Sequence, residues 1–166
     1  KTTAIQSLSD IEVVRTEASA SDDVKQLKKT TTVAMDYGLM KLASGDQVRL
    51  YGTPGQKRFD FMWDILTENA LGLVLMLRGN AADPVADLHT YVKEFRDFID
   101  RTSLVVGITH ADQGGYQTRR LIAAEMEKLG LPPCVMDTDA RERAHMAKLV
   151  KALIYGIDPF NGSEQA

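Results

Sequence analysis

The stretch Val48-Arg49-Leu50-Tyr51-Gly52-Thr53-Pro54-Gly55-Gln56-Lys57-Arg58-Phe59 decides how the rest of the chain is read. Apolar and polar residues alternate up to Tyr51, the period of a strand, and Thr53-Pro54-Gly55 then forces a turn. Beyond the turn, Lys57 to Ala70 carries Phe61, Ile65 and Leu66 on one helical face. Upstream, Thr32 to Leu42 is strand-like, and Ser44-Gly45-Asp46 returns it into Val48 as an antiparallel hairpin. A strand thus runs through a sharp turn into a helix, with glycine and glutamine side by side in the turn.

The remainder alternates between strands and helices. Leu71 to Leu77 is apolar on both faces, as expected of an interior parallel strand covered by helices. Pro84 to Ile99 is helical, with Leu88, Val92, Phe95 and Ile99 on one stripe, and Ser103 to Thr109 is a second apolar strand. Tyr116 to Leu129 is a helix closed by Gly130, Cys134 to Met136 a short strand, and Arg141 to Tyr155 the last helix. Before the hairpin, Lys1 to Leu8 places Ala4, Ile5 and Leu8 on a helical face. Ser9 to Thr31 is a long polar connection in which Ile11, Val13 and Val14 suggest a short strand. The pattern predicts an α/β fold: a doubly wound, mostly parallel sheet with one antiparallel hairpin strand, in a single domain spanning 1–166.

Bulk properties narrow the function classes. At 166 residues the chain is long enough for one well-buried core. A net charge of -3 argues against a nucleic-acid partner, but backbone amides bind small anions without net positive charge. The single cysteine, Cys134, excludes an intramolecular disulfide and fits a reducing compartment, so a cytoplasmic location is expected. The longest apolar run, Ala70 to Leu77, has the length of a buried strand and not of a transmembrane segment.

In open α/β sheets ligands bind beyond the carboxyl ends of the strands, and polar residues stand at several of those ends. Lys1-Thr2-Thr3 opens a helix with an amine and hydroxyls suited to phosphate oxygens and a magnesium ion, although taken alone it reads as a frayed helix start. Thr32 opens a strand, where a threonine can reach a metal ion and a γ-phosphate or be a plain β-branched strand start. Gly55 can donate its amide to a γ-phosphate and Gln56 can orient an attacking water; the same residues fit a simple Pro-Gly turn. Thr109-His110-Ala111-Asp112 ends an apolar strand with a carboxylate able to pair with both N–H groups of guanine, or to cap the next helix. Asp139-Ala140-Arg141 follows the last strand and reads equally as a helix cap.

Taken in order and spacing, these segments resemble the Ras-like small GTPases, specifically the bacterial branch of predicted ATP/GTP-binding proteins. The resemblance covers nearly the whole chain. Thr32 to Tyr37 is similar to switch I, Thr53 to Phe59 to switch II, Thr109 to Asp112 to the Asn-Lys-x-Asp guanine motif, and Asp139 to Arg141 to Ser-Ala-Lys. It implies a P-loop three-layer sandwich that binds GTP and GDP with Mg²⁺ and acts as a slow hydrolytic switch. Gln56 would then be catalytic; Lys1, Thr2, Thr3, Thr32, Gly55, Thr109, His110, Asp112, Asp139, Ala140 and Arg141 would contact nucleotide; Thr2 and Thr32 would hold the metal. It further implies a regulator or effector of the Roadblock type, through which the protein would reach a membrane surface. Arg49 and Arg58 are the candidate arginines in cis.

Three departures accompany the resemblance. The family's switch II aspartate is Gly52, which predicts a weakened metal site. Thr109 and His110 replace asparagine and lysine, so guanine selection rests on Asp112. The family's first strand and phosphate-loop glycines would precede Lys1. The alternatives are a nucleotide-binding interaction module without efficient hydrolysis and an ATP-binding NTPase.

Overall fold

The computed structural model describes residues 1–19, 32–53, 67–113 and 115–157. These residues form a mixed α/β structure with two separate three-stranded sheets, one antiparallel and one parallel. The chain divides into two compact units, Lys1–Glu68 and Asn69–Ala166.

The first unit begins with α1 (Thr2–Leu8), whose Ala4, Ile5 and Leu8 are buried as the spacing predicts. The helix stops at Ser9, which turns to extended backbone and is sewn to the sheet: the Leu39 amide donates to Ser9 Oγ (3.2 Å), and the Asp10 amide donates to the Leu39 carbonyl (2.7 Å). The expected hairpin is β2 (Thr32–Lys41) against β3 (Gln47–Gly52). A third strand, β1 (Val14–Ser19), lies antiparallel along β2. The sequence suggests a strand only up to Val14; pairing with β2 carries it through the polar residues beyond, because backbone hydrogen bonds do not require an apolar side chain.

Pleat alternation puts Asp36, Gly38 and Met40 on the face of β2 that meets α1. Gly38 and Gly52 provide the close approach that seats Ile5. A Cβ at either position would come within 2.7 Å of the Ile5 side chain. Burying Ile5 and Leu8 there stabilises the unit by roughly 2 kcal/mol each.

The second unit is the predicted parallel sheet, in the order β4 (Gly72–Arg78), β5 (Ser103–Thr109) and β6 (Val135–Asp137). Central β5 is buried continuously from Leu104 to Ile108, which explains its unbroken apolar run. Helix α2 (Pro84–Glu94) starts at an Asp83 cap whose carboxylate accepts from the Ala86 amide. The single helix expected from Pro84 to Ile99 is instead broken at Phe95 (φ -105°, ψ 16°), and α3 (Arg96–Ile99) follows. The break leaves Phe95, Phe98 and Ile99 all buried.

Helix α4 (Gly115–Lys128) ends as predicted at Gly130 in the left-handed region, where the Leu131 amide reaches back to the Met126 carbonyl. Helix α5 (Arg143–Ile157) packs Leu149 over Gly107 and begins two residues later than expected. Gly55, Gln56, Arg58 and most of the helix expected over 57–70 lie outside the described residues. Among the described residues no helix is long and apolar enough to cross a membrane.

Candidate functional site

In the first unit the decisive residue is one the sequence did not single out. Asp36 is 8% exposed, in the middle of a strand, and a carboxylate so placed needs partners. It has two. The Thr2 hydroxyl donates to Oδ2 at 2.5 Å, and Arg15 Nε donates to Oδ1 at 3.3 Å.

Strand register produces this arrangement. Arg15 is the cross-strand partner of Asp36 on one side, and Gly52 is its partner on the other. A Cβ at position 52 would stand 3.3 Å from the Asp36 Cβ and 3.6 Å from its Oδ2. The absent side chain at Gly52 therefore lets Ile5 and the Asp36 side chain both lie close against β3. A carboxylate thus stands one strand over from Gly52, the position where the resemblance expects an aspartate.

Because the Thr2 proton is committed to Asp36, the Thr2 oxygen keeps its lone pairs for a cation. Lys1 is exposed as a residue, yet partial desolvation of its ammonium lowers its pKa; the Asp36 carboxylate opposes that shift. Thr3 is exposed in the first turn of α1, and Thr32 is the first residue of β2. Among the described residues no group of three or more His, Cys, Asp or Glu side chains could hold a metal ion. A cation here would take most of its shell from phosphate oxygens and water. Pleat alternation puts Arg49 with Tyr51 on the opposite face from Gly52, away from Asp36.

In the second unit the expected residues at the ends of β5 and β6 come together. Thr109 is a tie between strands: its hydroxyl donates to the Leu77 carbonyl (3.1 Å), while its own carbonyl accepts from the Gly79 amide (2.7 Å). His110 is left-handed (φ 56°), a conformation that costs a non-glycine residue about 1 kcal/mol. Its Nδ1 lies 3.3 Å from Thr109 Oγ1. With the Thr109 proton given to Leu77, the contact is made when His110 carries its proton on Nδ1. Asp112 follows in a short 3-10 turn, Ala111–Gln113, and is exposed.

Past β6, Asp139 is not a plain helix cap. Its carboxylate accepts from the Arg141 amide at 2.9 Å and from the Arg141 guanidinium at 2.6 to 3.2 Å, closing a turn ahead of α5. The Asp139 amide in turn donates to His145 Nδ1 (3.2 Å). Arg141 holds the Asp139 carboxyl far below the usual carboxylate range. The Arg141 guanidinium pKa is raised, chiefly by Asp139, with smaller contributions from the Glu142 and Asp112 charges. Ala140 lies between the two paired residues. At the end of β6, Asp137 pairs with Arg119 at 3.2 Å, while its buried Oδ1 has no partner among the described residues.

The chain matches a known family over most of its length. The model described as conserved hypothetical ATP binding protein covers residues 1–154. No curated protein matches the chain.

Proposed function

The chain belongs to the family of conserved hypothetical ATP-binding proteins, and from that premise we propose that it is a GTP-binding molecular switch with slow hydrolysis. Nucleotide binding is the family's property; guanine selection, hydrolysis and switching are our reading. One observation carries it: the Thr2 hydroxyl donates to a buried carboxylate, Asp36, directly across the sheet from Gly52.

That pairing suits the cation side of a nucleotide-phosphate site. Lys1 neutralises charge on the β- and γ-phosphate oxygens, Thr2 and Thr32 offer hydroxyl oxygens, and Asp36 supplies the fixed negative charge. A bound Mg²⁺ would neutralise phosphate oxygens there. Gly55 and Gln56 keep the roles the turn suggests, amide donor and orienter of water. For base selection the resemblance points to the loops of the second unit: Thr109 holds two strand ends together, Asp112 would accept from the two guanine N–H groups, and His110 and Arg141 would offer planar groups to the ring. A Roadblock-type regulator remains the partner that the resemblance implies.

A second reading, an ATP-binding NTPase, is favoured by the family's own description and by Thr109 and His110 standing where guanine readers carry asparagine and lysine. Titration of the full-length protein with labelled GDP, GTP, ADP and ATP, with and without Mg²⁺, separates the two. Guanine preference tightened by Mg²⁺ is expected. Adenine preference moves the assignment to ATP, and indifference to Mg²⁺ removes Thr2 and Asp36 from the metal side.

A further inference from the structure

Asp36 gives one oxygen to Thr2 and the other to Arg15, and the second of these partners has no part in the reaction proposed above. The Arg15 contact is built into the sheet. Arg15 and Asp36 are cross-strand partners in the β1–β2 register, so no loop has to deliver the guanidinium. Their exposures differ sharply: the Asp36 side chain is 11% exposed and the Arg15 side chain 57%. A carboxylate this far from water needs a cation close by, whereas the arginine is still solvated and can leave at little cost. Lys1 also acts on Asp36 through its charge, but Arg15 makes the hydrogen bond.

Resting on the reading of Thr2 and Asp36 as a cation site, we infer that Arg15 is the resident counter-cation of Asp36 and sets how weakly the site holds a divalent cation. One carboxylate serves two cations. When the divalent ion is absent, Arg15 keeps Asp36 paired and pointed at Thr2. When it binds, it meets a carboxylate already partly neutralised and a guanidinium of like charge. At water-like screening, that repulsion is worth roughly a factor of ten in the dissociation constant. The same arginine therefore makes the ion exchangeable and protects the site after it departs.

The test uses the full-length chain carrying whichever of GDP or ADP it retains in EDTA, titrated with Mn²⁺ and followed by the paramagnetic resonance of the free ion. Arg15→Gln should bind Mn²⁺ about tenfold more tightly than the unaltered protein. Arg15→Lys, which keeps the charge, should stay close to the unaltered protein. Lys41→Gln, which removes the same charge at the far end of β2, should leave the affinity where it was. Should Arg15→Gln fail to fold, Arg15→Ala serves, with millimolar guanidinium ion added back: the ion should weaken Mn²⁺ binding in the variant and not in the original chain. Equal or weaker Mn²⁺ binding in Arg15→Gln, or no response of Arg15→Ala to guanidinium, overturns the inference and leaves the nucleotide reading standing. Retention of neither nucleotide overturns both.

Discussion

Two aspartate–arginine pairs in this molecule invite comparison. Asp139 and Arg141 lie two residues apart in a loop and meet through a fork with contacts down to 2.6 Å. Asp36 and Arg15 lie 21 residues apart and meet through one contact at 3.3 Å. By distance the loop pair is the stronger, yet its arginine side chain is 79% exposed, and water competes for every bond it makes. The Asp36 pair has poorer geometry, but it is held by strand register, and its carboxylate has little water to fall back on. The first pair shapes a loop locally. The second fixes a charge in the body of a sheet, next to the hydroxyl that would hold a cation.

Four substitutions sharpen or break this contrast. The largest effect is expected in the loops, where Asp112→Asn should shift preference from guanine to xanthine nucleotides by about a hundredfold or more, read by competition binding. Unchanged GTP affinity would show that the base is not read there. Gly52→Asp, which introduces the acid that the Ras-like resemblance expects there, should harm the first unit. Its Cβ meets Ile5 at 2.7 Å, and a second carboxylate would face Asp36. A loss of roughly 2 kcal/mol in denaturant unfolding is expected from overpacking, and full stability with tighter Mg²⁺ binding would break the claim that Asp36 stands in for it.

Asp36→Asn preserves shape and removes charge. Mg²⁺ affinity should fall about 10- to 100-fold, while nucleotide retention in EDTA is spared; equal losses with and without metal would make Asp36 merely structural. The smallest effect belongs to Arg141→Ala. The Asp139 carboxyl should rise towards its ordinary pKa, seen by NMR titration, with the melting temperature at neutral pH lowered only slightly, because water screens so exposed a pair. The sign follows from the shift. A carboxyl depressed in the folded state stabilises above its unfolded pKa, and that contribution fades only as the pH falls through the folded value. A substantial drop in melting temperature at neutral pH would mean that the loop pair carries more than local shape.

Much of the second unit was legible because its signals are local. An apolar run such as Leu104 to Ile108 is buried wherever it folds, and the polar residues that follow it must lie at the strand end. Thr109, His110 and Asp112 could therefore be picked out directly, as could Asp139 to Arg141. What their side chains do was not legible. Thr109 turned out to be a tie between strands, and the left-handed His110 has no sequence signature. The break at Phe95 was equally hidden, because helical periodicity persists across it.

In the first unit the sequence determined the helix, the hairpin and the candidacy of Thr2, through spacing and turn chemistry alone. It also presented Gly52 as a loss. Only the tertiary structure showed the carboxylate beside it, since Asp36 is placed by Thr2, 34 residues away, and by Arg15 and Gly52 on the flanking strands. One hint was available: a charged residue at an inward position of the alternation from Asp36 through Gly38 to Met40. Periodicity can say that such a residue faces inward. Which groups meet it there depends on strand register, a long-range property that no local pattern contains.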